Sequence, residues 1–279
     1  MDIRTTPDKK SAMWISVLSV IFAFGVAALI ALFLFPVFGM GTVRWVALIF
    51  GEALIIVPAL IYVRSRHYDL QKSFRLATPP SGTLPLAALI GISIQPIADE
   101  LDKLFSQLFS MPEQVQEYLQ KALDAFKIDN LGSLVLITLG AVIIAAITEE
   151  ILFRGFLQSA FERDGSPFRA VLISSLVFAV VHFSPQFFQI FLLGSLLGYM
   201  ALRTDSLYPG ILLHMVNNGI AITFININTE NYSFYSMGNH VSPLILIPSI
   251  LIFVASLKSF HTKTAARIII KSSNLEAVS

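Results

Sequence analysis

The sequence predicts an all-α, polytopic integral membrane protein with about eight transmembrane helices. Two observations lead to this prediction. The chain of 279 residues is 55% hydrophobic and only 13% charged, whereas a soluble domain carries about 25% charged residues. Apolar runs recur along the whole chain, and several approach the roughly 20 residues that a helix needs to cross a bilayer. Helices suit lipid because they satisfy their backbone hydrogen bonds within each span.

Each span is predicted from an apolar run with polar or turn-forming residues at its ends. The first run, of about 25 residues, is too long for a signal peptide's apolar region of about 7–15 residues. Residues 98–130 differ, since acidic side chains and helical periodicity there indicate a polar or interfacial helical excursion. The predicted spans cover residues 11–35, 43–63, 84–97, 131–161, 168–183, 187–202, 207–227 and 243–257.

The whole chain, residues 1–279, is predicted to be a single membrane domain, with a catalytic core over about 131–227 and a cytoplasmic tail over 258–279. Basic residues cluster in alternate loops and at both ends, and the positive-inside rule then places both termini in the cytoplasm. The short loops favour the plasma membrane of a bacterium.

The composition also limits the chemistry and the partners. The chain has no cysteine, so it has neither disulfides nor a thiol nucleophile. Its net charge of +1 gives no indication of a polyanionic partner. We therefore expect the lipid bilayer as a partner and no nucleic acid.

The charged group inside the fourth span is the main functional signal. Glu149, Glu150 and Arg154 lie in the stretch AITEEILFRGFLQSAF, and a charge at this depth costs about 2.5 to 3.5 kcal/mol. Glu150 and Arg154 are four residues apart, so they share a helix face and can pair. Glu149 is rotated by roughly 100°. We interpret Glu150–Arg154 as a structural pair and Glu149 as a carboxylate that faces a cavity; the alternative is a solvated end at the membrane border.

Three more polar side chains lie at membrane depth. His182 is on the fifth span, one turn after Phe178, and His214 and Asn218 share a face of the seventh. Counted at 1.5 Å per residue from the basic loops, they and Glu149 lie roughly 13 to 20 Å deep. Three spans therefore place their polar groups in one layer, which predicts one site. Taken alone, an intramembrane histidine is more often a packing residue, and Phe178 is predicted to pack.

Two further features are interpreted as structural. Glu52, on the second span, either pairs with a neighbouring helix or faces the cavity, and we favour a structural role. Gly194 and Gly198 form a small-xxx-small face that suits close helix packing.

The motifs resemble those of a known family. EEILFR fits EExxxR, FAVVH fits FxxxH and HMVNN fits HxxxN, and in this order they resemble the CPBP (Abi) intramembrane proteases, which include the type II CAAX prenyl endopeptidases. The resemblance covers about residues 131–218. It implies that Glu149 is the catalytic glutamate, with Glu150 and Arg154 as its companions. It maps the other boxes onto the following residues: Phe178, His182, His214 and Asn218.

Peptide hydrolysis needs an activated water, a stabilised oxyanion and a proton for the leaving amine. Burial raises the pKa of a carboxylic acid and so suits it to act as a general base. We expect Glu149 to take a proton from water that His182 orients, while His214 and Asn218 donate to the oxyanion. Ser174 and Ser175 lie nearby, but no serine pairs obviously with a histidine, which disfavours a serine nucleophile.

Three alternatives remain open. Glu149, His182 and His214 are a possible set of zinc ligands with an open fourth position, although we favour a metal-free site without a cofactor. A transporter also buries acidic and histidine side chains, and an immunity or scaffold protein binds its partner without catalysis. The expected substrate is a bacterial peptide or a membrane-protein segment rather than a prenylated CAAX tail.

Overall fold

A computed structural model describes residues 6–108, 112–124, 126–163, 165–227 and 234–276, with backbone only at 40–42, 122 and 266–276. Helices joined by loops make up this part of the chain, together with one two-stranded antiparallel hairpin, β1 (Ser236–Met237) and β2 (His240–Val241). The helices are α1 (Lys9–Leu54), α2 (Val57–Ser65), α3 (Leu70–Ser73), α4 (Thr83–Leu108), α5 (Glu113–Asp124), α6 (Leu131–Arg163), α7 (Pro167–Val181), α8 (Phe187–Thr204), α9 (Tyr208–Asn226) and α10 (Pro243–Glu276).

The predicted all-α polytopic membrane fold is confirmed. Within the described residues, seven helical segments are long and apolar enough to cross a membrane. The remaining predicted span corresponds to α7, whose 15 residues extend about 22 Å, less than the roughly 30 Å hydrocarbon core. Apolar side chains such as Phe33 (70% exposed) and Leu244 (86% exposed) lie on the outside, as expected for surfaces that contact lipid.

Two spans differ from the sequence-based boundaries. α1 contains the first predicted span and most of the second, and it is interrupted at Gly39, whose φ of 70° is readily adopted only by glycine. α4 continues to Leu108, well beyond the predicted end at residue 97. The helix continues there because its acidic side chains bind other parts of the chain, as in the 2.5 Å hydrogen bond from the Tyr235 hydroxyl to Asp99.

The described chain divides into two compact units. The first comprises Met1–Thr78 and Ile128–Ile211, and the second Pro79–Lys127 and Leu212–Ser279. The boundary falls within α9. The single-domain organisation stays a prediction, and residues 258–276 of the expected tail are helical because α10 continues to Glu276.

In the first unit, α6 is the central element. Its apolar side chains pack against α1, α2 and α7 around a core that includes Phe153, Phe156 and Phe178. Two stretches of α6, Thr138–Ile144 and Glu150–Gln158, form wider π-helical turns. Such turns occur often at functional sites, and the second one begins at the acidic pair of the sequence.

In the second unit, α4 packs along α10 and carries the hairpin. The carboxylate of Glu100 accepts hydrogen bonds from the Val241 backbone and from the His240 ring, each at 2.7 Å. Lys103 donates to the Ser236 hydroxyl at 3.1 Å. The acidic and basic side chains that follow the predicted third span therefore anchor the hairpin to α4.

Candidate active site

The first element of the site is the ion pair that the sequence predicted on α6. Arg154 Nη1 lies 2.9 Å from Glu150 Oε1, and both side chains are fully buried. Arg154 Nη2 donates to the Gly194 carbonyl of α8 at 3.1 Å, and the guanidinium lies 4.1 Å from the centre of the Phe178 ring. These contacts join α6, α7 and α8 at one buried charge.

Gln158 extends this pair by one turn, and sequence reasoning missed it. Its side chain is fully buried; its Nε2 donates to the Gly198 carbonyl at 2.9 Å and to Glu162 at 2.8 Å. A Cβ on Gly198 would lie 2.7 Å from Gln158 Oε1, and one on Gly194 would lie 3.1 Å from Arg154. The two glycines therefore admit the polar side chains of α6 to the carbonyls of α8. Two features of the sequence were available as signals. Gln158 lies four residues after Arg154 on α6 and so shares its helix face, and Gly194 and Gly198 form a GxxxG face on α8.

Glu149 and His182 form the second element, between α6 and the end of α7. His182 Nε2 lies 4.0 Å from Glu149 Oε2, and the two side chains are 31% and 12% exposed. His182 Nδ1 is 2.6 Å from the Phe178 carbonyl oxygen. A carbonyl only accepts, so Nδ1 carries the proton of this hydrogen bond. In the neutral ring, Nε2 is then the acceptor and faces the carboxylate of Glu149.

The end of α7 positions the histidine. α7 ends at Val181 and His182 caps it, while Phe183 follows with a left-handed φ of 47°. This conformation costs a non-glycine residue about 1 kcal/mol or more. The Phe178 ring centre lies 4.4 Å from that of the His182 ring, and Phe178 also contacts Arg154, so it lies between the two elements.

The serines near the site use their hydroxyl groups elsewhere. Ser174 donates to the Phe153 carbonyl at 2.8 Å and Ser175 to the Val171 carbonyl at 2.7 Å. A hydroxyl that donates to a carbonyl has no proton left for a histidine base. The exclusion of a serine nucleophile stays a prediction.

A separate group of polar side chains lies on α9, in the second unit. His214 is buried, with 3% of its surface exposed, and Asn218 lies one turn further along the same helix. Asn217 Nδ2 donates to Asn218 Oδ1 at 3.2 Å, and the Gln95 side chain of α4 in turn donates to Asn217. This hydrogen bond fixes which end of the Asn218 carboxamide is the oxygen and therefore orients the side chain. Sequence reasoning did not identify Gln95, for which an isolated glutamine in an apolar span was the only signal.

The zinc alternative needs three or more ligand side chains close together. Among the described residues, no cluster of three His, Asp or Glu side chains is placed to hold a metal ion.

The family comparison agrees with the motif reading. Residues 131–220 match the family model described as type II CAAX prenyl endopeptidase Rce1-like. This range runs from α6 into α9 and contains every residue that the sequence assigned to the site, so the resemblance is confirmed over this part of the chain. Neither a curated protein nor a solved structure matches the chain.

Proposed function

We propose that this chain, whose residues 131–220 form a domain of the type II CAAX prenyl endopeptidase Rce1-like family, hydrolyses peptide bonds within the membrane by a water molecule that Glu149 activates. The domain indicates a CAAX-type intramembrane protease, and the apolar helices make the chain an integral membrane protein. The observation that supports the glutamate mechanism is the approach of Glu149 to His182 at 4.0 Å.

That distance exceeds a hydrogen bond and suits one water between the two groups. The water donates one proton to Glu149 and the other to Nε2 of His182, whose acceptor state follows from the hydrogen bond between Nδ1 and Phe178. As the water oxygen attacks the scissile carbonyl carbon, its proton moves to Glu149. The protonated Glu149 then passes that proton to the leaving amine nitrogen, and the carbon–nitrogen bond breaks to give an acid and an amine.

The attack leaves a negative charge on the carbonyl oxygen. We assign His214 and Asn218 as its hydrogen-bond donors. The arrangement that supports this role for Asn218 is the chain of amides from Gln95 through Asn217, which ends on the amide oxygen of Asn218 and so orients its carboxamide.

The proposed substrate is a bacterial peptide or membrane-protein segment that enters from the bilayer into a cavity open to the cytoplasm. The proposed location is the bacterial plasma membrane, with both termini cytoplasmic. The short α7 does not alter this topology. α7 and α8 pack together as consecutive antiparallel helices, so they return the chain to the same side whether they cross the bilayer or only enter it.

The central experiment compares the peptides of membranes from cells with the native protein and with Glu149→Gln. The amide keeps the shape of the side chain but takes no proton from water, so we expect at least one cleavage product to disappear. Glu117→Gln is the matched control, because Glu117 is an exposed carboxylate on α5. Identical peptide profiles for native and Glu149→Gln membranes would reject the protease assignment.

A second experiment tests the metal-free mechanism. The purified protein is assayed for cleavage before and after treatment with a chelator, and its metal content is measured. We expect full activity after chelation and no stoichiometric zinc. Activity that is lost on chelation and restored by zinc would favour the zinc site instead.

The absence of cysteine makes the topology simple to test. Single cysteines introduced at Lys72 and at Met237, which is 67% exposed, are labelled with a membrane-impermeant maleimide in intact cells. We expect label at position 237 and none at position 72. The reverse pattern would contradict cytoplasmic termini.

A further inference from the structure

A cavity of about 270 Å³ lies where α1, α6 and α7 meet in the first unit. Its lining includes Lys9 from the first turn of α1, Phe161 from the last turn of α6 and Arg169 from the first turn of α7. The volume is close to the roughly 300 Å³ at which ligand pockets begin. Arg169 lies 13 residues before His182 in the sequence, or about 20 Å along a helix. The cavity is therefore separate from the candidate active site.

The walls of this cavity are held together by a basic side chain at the end of α6. Arg163 Nη1 donates to the Thr6 carbonyl at 2.8 Å, and Nη2 donates to the Pro7 carbonyl. These bonds fix the segment before α1 against α6. Lys9 follows directly on this segment, so the start of α1 is held in place beside the cavity.

The cavity lies at the level of the lipid headgroups. Lys9 immediately precedes the first long apolar run, and the apolar residues of α7 follow Arg169. Trp14, five residues after Lys9, is 61% exposed, and tryptophan is enriched at membrane–water interfaces. The proposed topology places this level on the cytoplasmic side, where the leaflet is rich in anionic lipids.

Two cationic side chains of the cavity are available for an anion. Neither Lys9 nor Arg169 forms an ion pair within the described part of the chain. The acidic side chains nearby are engaged elsewhere: Asp8 caps α1 through hydrogen bonds of 3.0 and 2.8 Å, and Glu162 pairs with a buried arginine. Asp164 lies outside the described residues. The charge of the lining therefore favours a negatively charged ligand.

The rest of the lining is mostly apolar and includes Phe161, Ala170 and Ile173. A soluble anion gains nothing from such a wall, whereas the glycerol and the first acyl carbons of a lipid bury apolar surface against it. Basic pockets between transmembrane helices are known to hold anionic headgroups. Charge and wall together thus fit a lipid better than a free phosphate.

We propose that this cavity binds one anionic phospholipid, whose phosphate pairs with Lys9 and Arg169. The bound lipid joins the beginning of α1 to α7, the helix that ends beside His182. This lipid site goes beyond the proposed function, since it involves no step of hydrolysis and stands whether or not the chain is a protease.

Native mass spectrometry of the purified full-length protein, with added phosphatidylglycerol or phosphatidylcholine, tests the proposal. We expect the native protein to bind one phosphatidylglycerol more tightly than phosphatidylcholine. The double variant Lys9→Gln with Arg169→Gln should bind phosphatidylglycerol about 30-fold more weakly, which is about 2 kcal/mol for two cations. Millimolar inorganic phosphate should leave the lipid bound.

The matched control is the double variant Arg64→Gln with Lys72→Gln. It also removes one arginine and one lysine, both exposed and on the same side in the proposed topology, so it should bind phosphatidylglycerol as the native protein does. If the test variant fails to accumulate, Lys9→Gln and Arg169→Gln are measured singly, each with an expected loss of about fivefold.

The proposal is overturned if Lys9→Gln with Arg169→Gln keeps the native affinity for phosphatidylglycerol. It is equally overturned if the control loses as much affinity, which would show general attraction by surface charge, or if phosphatidylcholine binds as tightly. Displacement of the lipid by millimolar phosphate would show a site for a free anion instead.

Discussion

Glu149 and Glu150 are adjacent in sequence but lie in opposite surroundings. Glu150 is fully buried and bound to Arg154 at 2.9 Å. Glu149 is 12% exposed and faces the partly exposed His182 across 4.0 Å. Glu150 is thus paired with a cation that two other helices contact, whereas Glu149 lies beside a partly exposed histidine.

One short stretch of α6 therefore holds both a structural ion pair, Glu150–Arg154, and the proposed general base, Glu149. A fixed, buried ion pair contributes little net stability but is costly to break. A general base must lie within hydrogen-bond distance of a water molecule that is itself close to the substrate. Changes at the pair should therefore reduce stability, and changes at Glu149 and His182 should reduce activity. The predictions below test that separation, from the largest expected effect to the smallest.

Arg154→Met should be the most destabilising change. It leaves the carboxylate of Glu150 buried without its cation, at a cost of about 3–5 kcal/mol. The free energy of unfolding is measured by denaturant titration in detergent micelles. The double variant Glu150→Gln with Arg154→Met removes both charges and should recover much of this loss. Equal stability of the single and double variants would contradict the structural role assigned to the Glu150–Arg154 pair.

His182→Gln should lower the rate of cleavage about 100-fold, which is about 2.7 kcal/mol. The free energy of unfolding should hardly change, because the histidine is partly exposed. Initial rates are measured on the peptide that the membrane comparison identifies. The exposed His261 serves as the control, and His261→Gln should cleave at the native rate. A His182→Gln variant with native activity would remove the histidine from the mechanism.

Gly198→Ala tests the polar contacts that surround the ion pair. The added Cβ would lie 2.7 Å from Gln158 Oε1 and 3.0 Å from Val171 Cγ1, so we expect a loss of about 1–3 kcal/mol in thermal unfolding. Gly25→Ala is the matched control, because nothing lies within 4 Å of its Cβ position; this change should gain about 0.5–1 kcal/mol of helix propensity. Equal effects at both glycines would contradict the close packing of α6 on α8.

Asp8 can be compared with Glu149 and Glu150, because its carboxylate is in contact with water. It caps α1, and the hydrogen bond from the Ser11 backbone, at 3.0 Å, lowers the pKa of Asp8 below its ordinary value of 3.8. Its stabilisation is therefore complete above pH 3.8 and is lost as the pH falls through the lower folded pKa. Asp8→Ala should cost about 1 kcal/mol at neutral pH.

The measurement for Asp8 is the unfolding midpoint between neutral and acidic pH. The gap between native protein and Asp8→Ala should narrow only in the acidic range. Asp8→Asn keeps a capping oxygen without a titrating group, so its own capping contribution should be independent of pH. A constant gap between native and Asp8→Ala down to the lowest pH would contradict a capping carboxylate.

The sequence by itself determined the membrane fold, the approximate positions of most spans and the Glu150–Arg154 pair. These follow from local composition and from residue spacing along one helix, which need no knowledge of the neighbours. The family motifs are equally local, so the candidate site residues could be assigned before their geometry was known.

Only the tertiary structure decided which groups meet. Spacing along α6 cannot reveal that Gln158 binds the Gly198 carbonyl or that the His182 ring is oriented by Phe178 towards Glu149. These contacts join residues from different helices, and they depend on how closely glycine faces allow those helices to approach. The physical reason is that periodicity shows which face of a helix is buried, whereas packing decides what that face is buried against.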